Sequence, residues 1–178
     1  MANPQKDKGK RFEREVAQYF TETFNKPFQR VPNSGAFTGG KNQNRLKALS
    51  NTQIKLHRGD IIAPDEYNIV IECKNYHKKN FTGGFVGLMQ SYSSKFEDWL
   101  DEVRADADNT RIPYILAFKI TGASTHIFFA LPEAHFKLKL KDSVYTRYYY
   151  AEAKEYYIIV NDMVFKGLKG QVERYIKI

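Results

Sequence analysis

Glu13, Asp60 and Glu72 are carboxylates, and Lys74 follows the last of them by two residues. Carboxylate oxygens are hard ligands that suit Mg²⁺ or Mn²⁺. Two carboxylates held side by side repel one another unless a divalent cation neutralises them. These residues are therefore a candidate donor set for a divalent cation, with a lysine two residues from one of the donors. Glu-x-Lys alone is a weak pattern, so the argument rests on the elements that must bring the four together.

The first element is a helix over residues 7–24, where Phe12, Val16, Tyr19, Phe20 and Phe24 recur at helical spacing. Glu13 falls inside this apolar stripe, whereas Arg14 and Glu15 point away from it. A carboxylate on a buried stripe is costly unless it is paired. Glu13 either reaches solvent at the stripe edge or faces a sheet and helps hold a cation or its water. The second element is a strand over 67–74, whose alternation puts Ile69, Ile71 and Cys73 on one face and Val70, Glu72 and Lys74 on the other. Just upstream, residues 57–63 read as a neighbouring strand, and Pro64-Asp65-Glu66 has the chemistry of a short hairpin turn. That hairpin would bring Asp60 near Glu72 across the pair. The bland alternative is a cross-strand carboxylate making an ordinary salt bridge to Lys74.

Helix-Glu, Gly-Asp and Glu-x-Lys in this order resemble the PD-(D/E)xK nuclease superfamily, most of all the archaeal-type Holliday-junction resolvases. The resemblance rests on Lys8-Gly9-Lys10-Arg11-Phe12-Glu13-Arg14-Glu15, Arg30 through Ser34-Gly35, Gly59-Asp60-Ile61-Ile62-Ala63 and Ile71-Glu72-Cys73-Lys74. A helix and a strand ending in Pro113-Tyr114-Ile115-Leu116-Ala117-Phe118-Lys119 follow, so that about residues 8–131 are covered. The stretch from Arg30 to Asp60 is longer than in compact resolvases, and about 45 residues follow the matched region. The resemblance implies that Asp60 and Glu72 bind the metal directly, with the Cys73 backbone carbonyl as a further ligand and Glu13 binding directly or through water. It gives Lys74 the attacking water and the charge on the phosphate. It also implies Mg²⁺ as cofactor, with Mn²⁺ substituting, and DNA contacts from Lys8, Lys10, Arg11, Arg30 and Ser34. Metal-assisted hydrolysis fits these roles, because a bound ion lowers the pKa of its water and clamps phosphate oxygens.

Composition agrees. A formal charge of +8 at pH 7 makes a phosphate polymer the natural partner of the surface. With 178 residues, 42% of them hydrophobic, one domain with a real core is expected. A single cysteine excludes an internal disulfide, and the four histidines show no zinc spacing. No apolar run approaches membrane length and no signal-peptide core opens the chain, so an intracellular protein is expected.

Residues 1–7 read as a disordered tail and 33–56 as a flexible, basic insertion carrying Lys41, Arg45, Lys47 and Lys55. So long a loop is usually functional or disordered, here a DNA-contacting flap, a dimer arm or an inert insertion. Within it, residues 35–42 fit Gly-x4-Gly-Lys, but Asn42 stands where a hydroxyl should meet Mg²⁺, and nucleotide binding is set aside. After Lys74 a polar loop presents His77, Lys78 and Lys79 to a phosphate backbone or simply to solvent. A helix over 85–103 follows, with Gln90 near its start, then strands at 112–120 and 125–131. Segments 136–140, 145–151 and 156–160 read as extra strands and the end of the chain as a short basic helix. The run Tyr148-Tyr149-Tyr150 suits either base stacking or a strand.

The fold expected is α/β. It is a restriction-endonuclease-like core of order αβββαββ over 8–131, a mixed central sheet flanked by helices, with a long basic loop insertion. A C-terminal β-rich extension, 132–178, packs on the same domain. The function expected is Mg²⁺-dependent, structure-selective cleavage of branched DNA by a homodimer, since two nicks in a four-way junction call for two sites related by a twofold. A sequence-specific or homing-type endonuclease, reading bases with the long loop, is a second reading. A catalytically silent nucleic-acid-binding protein is a third.

Overall fold

Apolar residues at period two in the strands and at helical spacing in the helices sort this chain into two layers on either side of one sheet. The computed structural model describes residues 4–32, 58–80, 94–107 and 111–178. Ser34, Lys41, Arg45, Lys47, His57, Gln90 and the Gly-rich run at 35–42 lie outside the described residues.

Helix α1 (Pro4–Phe24) is followed by β1 (Gln29–Arg30), β2 (Ile61–Ile62) and β3 (Val70–His77). Among the described residues, helix α2 (Ser94–Asp106), β4 (Tyr114–Thr121) and β5 (Phe128–Pro132) follow in the expected sequence. Then come β6 (Thr146–Tyr150), β7 (Glu155–Asn161), α3 (Asp162–Gly167) and α4 (Lys169–Ile176). Five strands form one mixed sheet in the order β3-β4-β5-β7-β6. Strands β3 and β4 are parallel and the other neighbours antiparallel. A parallel pair needs a crossover, and α2 lies within it. The result is a mixed α/β sheet flanked by helices, compatible with a restriction-endonuclease-like core.

One face of the sheet packs Ile71, Ile115, Phe129 and Val160 against Phe12, Val16, Phe20 and Phe24 of α1 and against Phe165, Val172 and Ile176 of the C-terminal helices. The other packs Val70, Leu116, Phe118 and Ile159 against Phe96, Trp99, Leu100 and Val103 of α2. Aromatic rings dominate the first layer, with Phe20 touching Phe24, Phe28, Phe129 and Phe165 at centroid distances of 5.3–5.7 Å. This is the spacing at which edge and offset contacts are favourable.

Five expectations need correction. Helix α1 begins at Pro4, inside the expected tail. Strand β2 does not pair with β3 as a hairpin. It pairs antiparallel with β1, while Tyr67 N–H closes the Pro64 turn at 2.9 Å. Strand β3 runs three residues further than expected, because Asn75, Tyr76 and His77 stay in register with Lys119, Ile120 and Thr121. Residues 136–140 form no strand. Their backbone is satisfied locally and by α4, with Lys139 N–H donating to Gln171 Oε1 at 2.7 Å and Tyr175 O–H to the Lys137 carbonyl at 3.2 Å. The terminal helix is broken in two at Leu168, and Asn161 caps the first half by accepting from Val164 N–H at 3.0 Å. Among the described residues, no helix is long and apolar enough to cross a membrane.

Candidate active site

Strand alternation carries Glu72 and Lys74 to the α2 face of β3, as the sequence implied. Lys74 Nζ donates to Glu72 Oε1 at 2.8 Å and also to Glu102 Oε2 of α2. Glu72 is only 9% exposed. Burial, and then the charge of Asp60, push its pKa up to about 8 against the pull of Lys74. Burial works against the charge on Lys74, yet Glu72 and Glu102 together hold its pKa above the ordinary lysine value.

Asp60 reaches this site from the turn ahead of β2. Its N–H donates to the Ile71 carbonyl at 2.8 Å, and its Oδ2 accepts from Cys73 N–H at 2.9 Å. These two bonds bracket Glu72. A strand residue's N–H and C=O point to the same edge, so the Cys73 carbonyl faces the Asp60 side as well. The preceding Gly59 has φ 68°, and a Cβ there would stand 2.6 Å from the Ile71 carbonyl oxygen. Only glycine fits. The turn is anchored twice more. Val31 N–H donates to the Asp60 carbonyl at 2.8 Å, and Gly59 N–H donates to Asp106 Oδ2 of α2 at 3.2 Å.

Glu13 arrives from α1 on the opposite face. Arg30 Nε donates to Glu13 Oε2 at 2.6 Å, so two residues selected from sequence meet each other. The charge of Glu13 still reaches Cys73. Burial first, then Asp60, Glu72 and Glu13, raise the Cys73 thiol well above its usual range. Glu15, with its side chain 46% exposed, pairs with Lys119 Nζ at 2.6 Å.

A cleft of about 480 Å³ opens beside the site, lined by Lys8, Gly9, Lys74, Tyr76 and His77 among others. Partial burial lowers the pKa of Lys8. Lys10, Arg11, Lys78 and Lys79 are exposed.

Among the described residues, no three His, Cys, Asp or Glu side chains form a ready metal cage. The donor chemistry nevertheless fits a hard divalent cation. The charge of Asp60 opposes ionisation of Glu72, a situation that a cation relieves, and a strand carbonyl shares their edge. The remaining positions around such an ion go to water and phosphate oxygens.

Two contributors escaped sequence reasoning, Glu102 and Asp106. Helix α2 also carries Glu97, Asp98 and Asp101, so spacing alone could not separate the site-facing acids from those that meet Tyr148, Lys95 and Tyr150.

The family described as "Phage putative PDDEXK endonuclease" matches residues 4–177. Neither a curated protein nor a solved structure matches.

Proposed function

The chain belongs to this phage family of PD-(D/E)xK endonucleases, and from that premise we propose that it is a Mg²⁺-dependent endodeoxyribonuclease acting on branched DNA. The observation that carries the chemistry is the bracketing of Glu72 by Asp60, with Lys74 tied to the same carboxylate. Asp60, Glu72 and the Cys73 carbonyl would hold the ion; Glu13, coming from the other face of β3 and bonded to Arg30, would reach it, directly or through a water, around the Asp60 edge of the strand. When bound, the ion supplies a water of lowered pKa and neutralises phosphate charge. Lys74 then orients the attacking water and faces the developing negative charge. Lys8, beside the cleft, together with Lys10, Arg11, Lys78 and Lys79, would take the flanking phosphates. Arg30 shares its charge with Glu13, so its phosphate contact would come through that pair.

Branched DNA, and a homodimer presenting two sites, are the substrate reading that the resolvase-like motif order supports. Incubation of the pure protein with Mg²⁺ and four-way junction, flap, duplex or single-stranded DNA tests both parts. Cleavage confined to branched substrates and abolished by EDTA is expected. Equal cutting of junction and duplex would leave a general or sequence-specific nuclease, and cutting in EDTA would remove the metal.

A further inference from the structure

Helix α2 touches the site at two points one helical turn apart. Glu102 accepts from Lys74 Nζ, and Asp106 accepts from Gly59 N–H at 3.2 Å. Residues four apart share a helix face, so both carboxylates leave α2 on the side that meets β3 and the Gly59–Asp60 turn. The helix is firmly seated, because Phe96, Trp99, Leu100 and Val103 are all at most 1% exposed. A rigid element thus holds the two groups on which the chemistry depends.

We propose that Glu102 and Asp106 are positioning residues, Asp106 aligning the metal ligand Asp60 through Gly59 and Glu102 aligning Lys74. The proposal rests on the metal-nuclease reading above and adds to it two residues with separable effects.

The Asp106 half follows from the turn. Gly59 is in the left-handed region against the Ile71 carbonyl, and the next residue makes both bonds that bracket Glu72. A Gly turn has little stiffness of its own, and a charge-assisted acceptor on its N–H restrains the rotation that would swing Asp60 away. Asp106 is exposed over part of its surface, but neighbouring protein crowds its carboxyl, and Arg58 and Lys74 act on its charge. The Glu102 half follows from Lys74, a flexible side chain that would otherwise fold wholly onto Glu72. A second acceptor draws Nζ toward α2 and so fixes where the ammonium stands.

A purely structural role is the competing account. Glu102 has its side chain 54% exposed, and an exposed ion pair contributes little to stability. The effects must therefore appear in metal affinity and in the cleavage step rather than in melting.

The test uses the full chain, with Mn²⁺ binding followed by calorimetry without DNA and single-turnover cleavage followed at saturating DNA. Outer groups that orient metal ligands typically alter affinity or activity by about 10–100-fold. Asp106→Ala should weaken Mn²⁺ binding by about tenfold, with Asp106→Asn restoring most of it because the amide oxygen still accepts from Gly59. Glu102→Ala should bind Mn²⁺ as the wild type does, yet cut about tenfold more slowly whatever the Mn²⁺ concentration, and Glu102→Gln should recover part of the rate. If Asp106→Ala does not fold, Asp106→Glu keeps the charge but moves the acceptor and should show the same loss of affinity. Wild-type affinity in Asp106→Ala or Asp106→Glu, or a wild-type rate in Glu102→Ala, overturns the proposal. A wild-type protein that neither binds Mn²⁺ nor cuts DNA fails the metal-nuclease reading itself, and the positioning roles fall with it.

Discussion

Glu72 is held between opposed influences, since Lys74 favours its ionisation while burial and Asp60 disfavour it, and the second group prevails. Removing that charge should thus damage catalysis without damaging the fold. Glu72→Gln is expected to melt no lower than the wild type in metal-free buffer and to lose cleavage to the level seen with EDTA. Asp60→Asn keeps an oxygen for Cys73 N–H, so DNA binding and fold should persist while cleavage is lost. Lys74→Ala should lose about 10²–10⁴-fold in rate, the usual scale for a positioned proton-handling group, and should still bind Mn²⁺. Robust cleavage by Asp60→Asn would end the ligand assignment. The glutamates of α1 divide in the same way. Glu13 is nearly covered and bonded to Arg30, whereas Glu15 is half exposed on Lys119. Single-turnover assays should show a heavy loss for Glu13→Gln and little for Glu15→Gln, and the reverse order would misplace the functional face of the helix.

At the scale of elements, the site depends less on a ladder between β2 and β3 than on a single turn. Strand β2 is two residues long and pairs with β1, and Asp60 joins this small sheet to β3 by one backbone and one side-chain bond. Gly59→Ala meets both a left-handed φ and a Cβ 2.6 Å from the Ile71 oxygen. Strain of this kind costs roughly 1–3 kcal/mol, and relief would require the turn to move and take Asp60 with it. Urea denaturation should show the lost stability and calorimetry a weakened Mn²⁺ site. A variant that matches the wild type in both would show that the turn is not what places the carboxylate.

For the whole molecule the open term is charge. The formal +8 includes Lys41, Arg45 and Lys47, and each phosphate contact adds counterion release to binding. Neutralising these three together should weaken DNA affinity and flatten its dependence on salt. If their segment grips a junction, competition binding will show branched-DNA preference falling along with affinity. If it reads bases, discrimination among duplex sequences will fall instead. An unchanged salt slope would make the insertion a mere connection.

The sequence by itself determined which faces its candidate carboxylates and Lys74 share. Alternation in β3 is a local property of the backbone, so Glu72 and Lys74 had to project together, opposite Ile71 and Cys73. Helical periodicity likewise put Glu13, and not Glu15, toward the covered side of α1. The motif order was enough to place the chain in its superfamily. Contacts between distant segments were not legible, because they depend on which elements end up adjacent. Nothing local tells β2 to pair with β1 rather than with β3, or joins Glu13 to Arg30. The same holds for α2, whose several acids look alike in sequence. Only packing of its apolar side against the sheet turns Glu102 and Asp106, and not their neighbours, onto Lys74 and Gly59. The segment 136–140 alternates like a strand, but the place beside β5 is taken by β7, with β6 outside it, and α4 offers its backbone other partners. Tertiary structure decides such cases because a hydrogen bond or ion pair across the fold exists only after the apolar layers have fixed who stands next to whom.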